Sequence, residues 1–436
     1  MSSFVDTQTI RQKVGRYEIV GELGQGATSK VYLGEDPFAR RKVAIKVIFA
    51  EALKSSEDGA IYKNMFLNEA ALAGKLVHPH IVQIYDAVVE KQFSYIVMEY
   101  VEGGTLEKFC KPENLLEPAE LAEICFKCVR ALAFAHAKGL THRDIKPGNI
   151  LHAGKANIKL ADFGVAIDRT SDRTIIAGVG SPAYMAPELI AGLVEGSYLT
   201  DIYALGVVMY HLLAGRLPFL APNATSMTYQ IVNTDPDPPS MHRPGVSHEI
   251  DAIVMRAIAR DVANRYQSWE EFGQDLVKSW KQELELQEDR DTPDTVRFSV
   301  LRALSFFKDF PEEELWEVLR ISKWAKFPVD SVLIKEGDVG DASFVVVTGF
   351  VQVSRGKRKL TVLTTGDCFG EMAYLARQGS LRSATVTTTS ECVVMKISGE
   401  DLRGASPYCK QLFDQQFVRT LIGRLELANK QLEEAS

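Results

Sequence analysis

The sequence predicts two consecutive domains: an α+β domain, and then a small antiparallel β-barrel or jelly roll with flanking helices. Three observations lead to this prediction. Strand-like segments fill the first part of the chain and long helical patterns follow them, a highly charged stretch lies near residue 285, and short β-rich runs come after it. A chain of 436 residues is also longer than one ordinary domain.

The first domain begins with strands and continues with helices. The strand-like segments are 17–23, 30–33 and 43–49, and the clearest helical patterns are 118–138 and 201–213. Strands that precede helices predict a small strand lobe followed by a larger helical lobe.

The second domain consists of short β-rich runs separated by glycine turns. The turns contain Gly337-Asp338, Gly340-Asp341, Gly349 and Gly366-Asp367. Their spacing is typical of a small antiparallel barrel or jelly roll. The runs are 331–334, 343–348, 350–354, 359–363, 384–388 and 392–397, with a final helix at about 407–432.

These patterns give five predicted segments. They are a loose N-terminal lead-in at 1–16, the first domain at 17–278, a charged linker at 279–297, the second domain at 298–410 and a C-terminal helix at 411–436. The linker is placed where the sequence is highly charged and almost free of large apolar residues.

Composition excludes several classes of protein. Apolar residues make up 46% of the chain and charged residues 25%, as in soluble globular proteins. The formal net charge of −7 argues against general nucleic-acid binding. No apolar run reaches the roughly 18 residues that a membrane helix needs, and the N-terminus lacks a secretory signal pattern. Six cysteines are too few for a disulfide framework, so we expect a cytoplasmic protein.

Cys125 and Cys128 form a C-x-x-C motif, which raises the alternatives of metal or redox chemistry. Both also fall on one apolar face of a predicted helix, and no second Cys or His pair lies at zinc spacing. Packing in the core is therefore the favoured interpretation.

The N-terminal glycine cluster is the first candidate for phosphate binding. Gly24 and Gly26 would let the backbone approach phosphate oxygens and offer N–H donors; a simple hairpin turn is the alternative. Lys46 ends the apolar strand 43–46, and Glu69 lies in a helical run from which it could pair with Lys46. Alone, both charges could equally be surface residues.

The segment His142-Arg143-Asp144-Ile145-Lys146-Pro147-Gly148-Asn149 and the triplet Asp162-Phe163-Gly164 carry the strongest signal. They supply a carboxylate that can accept a hydroxyl proton, a lysine for a phosphate, and two oxygen ligands for a metal ion. Phosphoryl transfer from ATP requires these groups.

With these motifs, residues 17–275 resemble the catalytic domain of Ser/Thr protein kinases of the bacterial type. Further matching segments are Met185-Ala186-Pro187-Glu188, 201–206 and Arg265. The resemblance implies catalytic roles for Asp144 and Lys146, Mg²⁺ or Mn²⁺ ligation by Asn149 and Asp162, and a buried ion pair between Glu188 and Arg265. The ATP-binding residues that it implies are Leu23, Gly24, Gly26, Val31, Ala44, Lys46, Glu69, Met98, Glu99 and Val101.

Three details of the sequence refine this resemblance. Ser29 replaces the usual third glycine of the phosphate loop. Lys146, together with Ser181, resembles the Ser/Thr-specific pattern and not the tyrosine-specific one. Met98 would lie at the back of the adenine pocket, although its sequence context fits plain core packing equally well.

Arg143 precedes Asp144, and in the family such an arginine often makes activity depend on a phosphorylated activation loop. We therefore expect autophosphorylation at Thr170, Ser171 or Thr174. The alternative is that these are ordinary solvated hydroxyls.

A second nucleotide site is predicted around segments 369–373 and 381–386. A short helix beginning near Gly370 offers backbone N–H groups and a positive dipole end to a phosphate. Arg382 can bind the phosphate bidentately, and Glu371 can accept a ribose hydroxyl.

Residues 298–410 thus resemble a cyclic nucleotide-binding domain. The resemblance implies that Gly370, Glu371, Arg382 and Ser383 bind cAMP or cGMP. The interval from Glu371 to Arg382 is longer than usual, and Leu381 replaces a common proline. A vestigial pocket is the alternative.

The C-terminal helix is too short for a DNA-binding domain. Its apolar residues Val418, Leu421, Leu425, Ala428 and Leu432 predict a lid over the base or a homodimer contact. The sequence therefore predicts a kinase that phosphorylates protein substrates under cyclic-nucleotide control. The alternatives are a constitutive kinase with a vestigial second domain and a pseudokinase scaffold.

Overall fold

The computed structural model describes residues 13–26, 29–49, 70, 73–89, 93–163, 182–194, 196–284, 293–376 and 381–434. The chain forms two compact units, Met1–Arg290 and Asp291–Ser436. Their boundary falls inside the stretch predicted as a linker, although helices extend into that stretch from both sides, as far as Leu284 and from Asp294.

The first unit begins with an antiparallel sheet in the order β1-β2-β3-β4-β6-β5. Val14 is fully buried in β1, so the predicted loose lead-in is wrong at its end, where two residues pair with β2. The strands are β1 (Lys13–Val14), β2 (Tyr17–Gln25), β3 (Ser29–Asp36), β4 (Arg41–Phe49), β5 (Ile84–Val89) and β6 (Phe93–Glu99).

The side chains of strand β4 alternate between two faces of the sheet, and the two faces have different surroundings. Val43, Ile45 and Val47 are fully buried in one apolar cluster with Tyr17 and Tyr95. Because successive side chains of a strand point to opposite faces, the intervening Ala44 and Lys46 lie on the other face. That face carries the candidate site.

The remainder of the first unit is mainly helical. The short strands β7 (Gly104–Thr105), β8 (Ile150–His152) and β9 (Ile158–Leu160) form a separate sheet. The helices are α1 (Pro118–Ala137), α2 (Pro187–Ile190), α3 (Tyr198–Ala214), α4 (Ala224–Asn233), α5 (His248–Ala257) and α6 (Trp269–Leu284). Short 3₁₀ segments occupy Leu106–Phe109, Pro112–Asn114, Pro147–Asn149, Pro182–Tyr184, Pro239–Met241 and Val262–Asn264.

Helix α3 begins and ends at recognisable capping residues. The Ser197 side chain accepts from the backbone at the first turn, and Thr200 bonds back to the backbone N–H of Ser197. Gly215 ends the helix with a φ of +69°, a conformation that glycine adopts without strain. The capping box starts the helix three residues earlier than the apolar pattern predicted, and it fixes the first-turn residue Asp201.

The two cysteines of the C-x-x-C motif pack in the core of the first unit. Cys125 and Cys128 lie on α1 and are almost fully buried, and burial raises the pKa of the Cys125 thiol to about 12. All six cysteines of the chain are buried free thiols. Packing, not metal or redox chemistry, therefore accounts for the C-x-x-C motif.

The second unit contains two four-stranded antiparallel sheets, ordered β10-β17-β12-β15 and β11-β16-β13-β14. Residues of both sheets, including Val346, Val351 and Val394, enclose one apolar core, as in a jelly roll. The strands are β10 (Ser322–Phe327), β11 (Val332–Ile334), β12 (Ser343–Thr348), β13 (Val351–Arg355), β14 (Arg358–Leu363), β15 (Cys368–Phe369), β16 (Thr385–Thr388) and β17 (Cys392–Ile397).

Helices precede and follow the strands of this sandwich in the sequence, and one short helix lies between two of the strands. They are α7 (Asp294–Ala303), α8 (Glu312–Ile321), α9 (Glu371–Leu375), α10 (Gly399–Gly404) and α11 (Pro407–Glu434), with a 3₁₀ segment at Ser305–Phe307. Among the helices that the structure describes, none combines the length and apolarity required to cross a membrane.

Helix α11 packs against the rest of the second unit through residues nearer its start than the apolar residues named in the sequence prediction. Within the second unit, α11 packs through Phe413 and Phe417, which contact Phe306 of the Ser305–Phe307 segment. Val418 and Leu425 are instead 48% and 62% exposed. The apolar residues nearer the start of the helix face the domain because the aromatic cluster lies there.

A buried ion pair near the end of the first unit gives a prediction about stability. Both terminal nitrogens of Arg265 lie 2.7 Å from the carboxylate oxygens of Glu188, and the Arg265 side chain is fully buried. We expect Arg265→Met to lower the free energy of unfolding by about 3–5 kcal/mol, because Glu188 is left as an unpaired buried charge.

Denaturant unfolding measures this loss. The matched control is Arg260→Met, which removes a long 3.5 Å pair to the exposed Asp235 and should cost at most about 1 kcal/mol. Equal losses in the two variants would contradict a special role for the buried pair.

Candidate functional site

The first candidate site forms where β4 faces the chain segment that follows β9. The Nζ of Lys46 lies 2.8 Å from Oδ1 of Asp162. Asp162 has a φ of +62°, in the left-handed region where aspartate is more tolerated than most residues. The structure therefore brings together two charged residues that lie far apart in the sequence.

The electrostatics of this pair favour an ionised Asp162. Burial alone would raise the pKa of the carboxyl, but the ammonium and hydrogen bond of Lys46 outweigh it, with smaller contributions from His142 and Lys146. The pKa of Asp162 is consequently below its ordinary value. A carboxylate kept charged at neutral pH is suited to a divalent cation.

The loop that carries Asp144 is held by a buried carboxylate on helix α3. Asp201 accepts the backbone N–H of His142 at 2.7 Å and that of Arg143 at 2.9 Å. Arg143 has a φ of +64°, so these bonds hold a conformation that arginine rarely adopts. The sequence pattern included Asp201 but gave it no role.

His142 connects this loop to the segment that contains Asp162. Its Nε2 lies 3.0 Å from the carbonyl oxygen of Ala161, and its ring centroid lies 4.6 Å from that of Phe163. The residues on both sides of Asp162 thus contact one side chain of the catalytic-loop motif.

Asp144 is surrounded by the other residues predicted in its motif. Its Oδ2 accepts from Nζ of Lys146 at 2.8 Å and from Nδ2 of Asn149 at 3.0 Å. The same Asn149 nitrogen donates to the Asp144 carbonyl at 2.7 Å. Since the amide nitrogen is used in this way, the Oδ1 of Asn149 is the atom that can serve as a metal ligand.

The donor set fits a complex of Mg²⁺ or Mn²⁺ with a nucleotide. Asn149 Oδ1 and the Asp162 carboxylate are oxygen ligands, which Mg²⁺ prefers, and Lys46 and Lys146 add positive charge for phosphates. When bound, the metal ion would neutralise charge on the transferred phosphoryl group.

An apolar cluster lies on the Ala44 face of the sheet and contains several of the residues predicted to line an adenine pocket. Among the predicted residues, Ala44 and Met98 are buried in it, and Val31 and Val101 are partly buried against it. Leu151 and Ala161 join the same cluster, although neither belongs to a predicted ATP-binding motif. Their closeness in sequence to Asn149 and Asp162 was the one feature that could have predicted their place in this cluster.

The remaining predicted ATP residues lie at the edges of this cluster. Leu23 is 45% exposed on β2, and Gly24 pairs with Val31 across the β2–β3 hairpin. A Cβ built on Gly24 would meet no atom within 4 Å, so the space over the hairpin is open. The backbone N–H of Gly26 donates to the backbone carbonyl oxygen of Ser29 at 2.8 Å.

Glu99 ends strand β6 with its side chain already engaged. Its carboxylate pairs with Lys159 at 2.9 Å, and its backbone N–H donates to the Gln83 carbonyl at 2.8 Å. The side chain and the backbone N–H of Glu99 are therefore both engaged within the protein.

Four predicted residues lie outside the described part of the chain. They are Glu69, the expected partner of Lys46, and the phosphorylation candidates Thr170, Ser171 and Thr174.

The second candidate site lies in the second unit, around the turn into helix α9. Gly370 has a φ of +82°, and a Cβ there would lie 2.8 Å from the Ala342 carbonyl oxygen and 3.0 Å from Nη1 of Arg382. Glycine is thus required by both conformation and space. Helix α9 has only five residues, so its backbone N–H groups matter more here than the predicted dipole.

Arg382 is buried and joins two loops. Its Nη1 donates to the Gly370 carbonyl at 3.0 Å and its Nη2 to the Ala342 carbonyl at 2.9 Å. A guanidinium has five N–H donors, so these two bonds orient the group and leave donors for an anion. This geometry fits a phosphate.

Glu371 lies next to Gly370 and is only 2% exposed. Its Oε1 accepts from Nη1 of Arg424 at 2.7 Å, a contact that no sequence motif predicted. Burial raises the pKa of Glu371, while Arg424, a backbone hydrogen bond and Arg382 partly oppose the shift.

The structure brings Gly370, Glu371 and Arg382 together, whereas Ser383 is exposed with its hydroxyl 3.8 Å from the Met372 sulfur. Leu381 is 63% exposed. Part of the longer loop before it, 377–380, is outside the described residues.

Comparison with known families agrees with this two-part architecture. Residues 17–276 match the model described as protein kinase domain, and residues 324–405 match the model described as cyclic nucleotide-binding domain. The predicted fold class, a kinase fold followed by an antiparallel jelly roll, is confirmed.

Bacterial kinases are similar to the first part of the chain. The serine/threonine-protein kinase PknB of Mycobacterium leprae is 37% identical over 270 residues, which are 60% of this chain and 43% of that protein. PrkC of Bacillus subtilis is 35% identical over 306 residues, 69% of this chain and 45% of that protein.

PknB of Mycobacterium tuberculosis (strain ATCC 25618 / H37Rv) is 38% identical over 271 residues, 60% of this chain and 42% of that protein. The chain therefore spans less than half the length of these relatives. Since the protein kinase model covers more than half of the chain, the chain belongs to the protein kinase family, in a form that carries a cyclic nucleotide-binding domain after the kinase domain.

Proposed function

We propose that this protein transfers the γ-phosphoryl group of ATP to serine or threonine hydroxyls of protein substrates. The observation that carries the proposal is the convergence of Lys46 with Asp162 and of Asp144 with Lys146 and Asn149. Relatives named as serine/threonine-protein kinases support it. A pseudokinase scaffold is disfavoured, because every described residue of the predicted catalytic set is present and engaged.

We assign each residue a role that its contacts support. Asp144 accepts or orients the proton of the substrate hydroxyl, with its carboxylate held by Asn149 and Lys146. Lys146 lies close to Asp144, so its ammonium group would lie beside the γ-phosphate of ATP when the substrate hydroxyl attacks that phosphate. Lys46 would orient the other phosphates, and Asn149 and Asp162 would hold the metal ion. Positioning and charge stabilisation of this kind provide most of the catalysis in phosphoryl transfer.

Arg143 supports the proposal that activity depends on autophosphorylation at Thr170, Ser171 or Thr174. Its side chain is exposed and donates through Nε to the Thr141 hydroxyl at 3.3 Å. Among the described residues, no carboxylate forms an ion pair with Arg143 within 4 Å. A phosphorylated residue of the 170–174 segment would supply such an anion.

A single substitution tests the catalytic proposal. We expect Asp144→Asn to lower the rate of peptide phosphorylation by roughly 10²–10⁴-fold, because the side chain can no longer accept a proton. Phosphopeptide mapping of the same samples should find phosphate within 170–174 in the wild type and not in the variant.

The matched control is Asp235→Asn, which removes an exposed carboxylate and should keep the wild-type rate. An Asp144→Asn variant as active as the wild type would refute the proposed role, and an active wild type unmodified within 170–174 would refute the loop proposal.

The second unit supports the further proposal that a cyclic nucleotide regulates the kinase. The orientation of Arg382 by two backbone carbonyls and the nearby Glu371 favour a working pocket over a vestigial one. We propose that the ligand, cAMP or cGMP, activates the kinase, because such coupling is the simplest use of a sensor fused to a kinase.

We also propose a cytoplasmic location, because the six cysteines are free thiols, which suit a reducing compartment.

We also propose a homodimer through the C-terminal region, because Val418, Ile422 and Leu425 are exposed at helical spacing on α11. Sedimentation of the full chain tests this proposal, and a monomer at micromolar concentration would refute it.

A kinase assay on the full chain, with and without cAMP or cGMP, tests the regulation. Allosteric coupling is typically worth about 5–150-fold, and we expect a change of that size for one nucleotide. Arg382→Ala should abolish the response, whereas Arg355→Ala, which removes only a 3.9 Å surface pair to Glu336, should retain it. Equal rates with and without both nucleotides would favour a constitutive kinase.

A further inference from the structure

We propose that Glu120 and Lys127 of helix α1 are positioning residues of the candidate catalytic site. They hold the turn between β8 and β9 in a conformation that its residues disfavour, and they thereby fix Asn149 and Asp162 at the other end of the β8–β9 hairpin. This inference rests on the proposed kinase function of the first unit. Neither Glu120 nor Lys127 belongs to a motif that predicted the site.

The β8–β9 hairpin connects the two residues that would hold the metal ion. Asn149 directly precedes β8, and Asp162 is the second residue after β9. The two strands pair at each of their three positions, and the backbone N–H of Ala161 donates to the Asn149 carbonyl oxygen at 2.9 Å. The position of one ligand relative to the other therefore depends on this hairpin.

The turn that closes the hairpin, 153–157, has an unfavourable backbone conformation. Gly154, Lys155 and Ala156 have φ values of +92°, +45° and +52°. Hairpin turns with successive positive φ values ordinarily use Asn, Asp or Gly, because a Cβ makes this conformation unfavourable. Contacts from outside the hairpin are therefore needed to hold Lys155 and Ala156 in it.

Helix α1 supplies such contacts to both polar backbone groups of Ala156. Oε1 of Glu120 accepts from the Ala156 N–H at 3.3 Å, and Nζ of Lys127 donates to the Ala156 carbonyl oxygen at 3.2 Å. Lys127 is only 3% exposed and also pairs with Glu123, one helical turn earlier, at 2.8 Å. Because a buried ammonium group is costly without its partners, Lys127 resists any movement of Ala156 away from α1.

The hairpin is short enough to carry a displacement of its turn to the metal ligands. Three residues of a strand span about 10 Å. Near Asp162, β9 is held by the backbone of the 80–82 segment, where Val82 donates to Leu160 at 2.9 Å and Leu160 donates to His80 at 2.8 Å. Without the bonds from α1 the hairpin would tilt about Leu160, and Asn149, which precedes the neighbouring strand, would shift relative to Asp162.

The test is calorimetric titration of the full chain with Mn²⁺ in the presence of a non-hydrolysable ATP analogue. Residues that directly orient a metal ligand typically contribute about ten- to hundredfold to metal affinity, and Glu120 and Lys127 act through a hairpin, so Lys127→Met and Glu120→Ala should each lower the Mn²⁺ affinity by roughly three- to tenfold. The matched control is Lys278→Met, which removes an exposed pair with Asp275 and should change the affinity by less than about twofold.

A second substitution separates positioning from a merely structural role. Glycine adopts a positive φ without strain, so Ala156→Gly alone should bind Mn²⁺ about as tightly as the wild type. Added to Lys127→Met, Ala156→Gly should restore most of the lost affinity, because the turn then keeps its conformation without help from α1. A lysine that only stabilised the fold would not be replaced by a glycine in the turn.

Glu120→Ala keeps the test decisive if Lys127→Met does not fold, because the Glu120 side chain is 34% exposed. In kinase assays, both variants should need more Mg²⁺ for half-maximal activity, while the KM for the peptide stays unchanged.

Wild-type Mn²⁺ affinity in Glu120→Ala and Lys127→Met would overturn the proposal, and so would equal losses with and without Ala156→Gly. A wild-type chain that binds Mn²⁺ and the analogue but transfers no phosphoryl group to peptides would instead refute the proposed kinase function, while the affinities of the variants would still decide the positioning role. A wild-type chain that binds no Mn²⁺ would refute both.

Discussion

The candidate catalytic site of this protein depends on one buried carboxylate, that of Asp201. Burial raises its pKa, and the interactions with His142 and Arg143, including hydrogen bonds from their backbone N–H groups, oppose the rise. These bonds also hold Arg143 at a positive φ, a conformation that costs an ordinary residue about 1–2 kcal/mol. If the carboxylate moved, Asp144 would lose its orientation, and His142 would lose its contacts around Asp162.

Both units use buried charged groups to join loops that are distant in sequence. In the kinase unit, Arg265 fixes Glu188 after the segment that carries the phosphorylation candidates. In the second unit, Arg382 bridges the carbonyls of Gly370 and Ala342. Such groups are costly to bury, so each is found with its hydrogen-bonding partners in place. The bonds of each group then fix the positions of the loops that it joins.

Several elements could be predicted because their signals are local. The alternation of Val43, Ala44, Ile45 and Lys46 predicted a strand with a lysine on one face, and the structure has that strand. Strand β10 was missed because its sequence, SKWAKF, lacks the β-branched residues that mark strands. It forms because β17 provides a complete antiparallel partner. The packing of Phe413 and Phe417 of α11 against Phe306 was not predicted, because helical periodicity does not show which side of a helix meets an aromatic cluster.

The sequence by itself determined the chemistry of each site. Asp144, Lys146 and Asn149 lie within six residues, so their mutual contacts follow from one short turn of chain. Only the tertiary structure decided the longer contacts: Lys46 with Asp162, Asp201 with a loop 59 residues away, and Arg424 with Glu371. A motif gives the types of residues and their separation along the chain. The partner of a buried charge depends instead on which helices, strands and loops pack together in the folded protein.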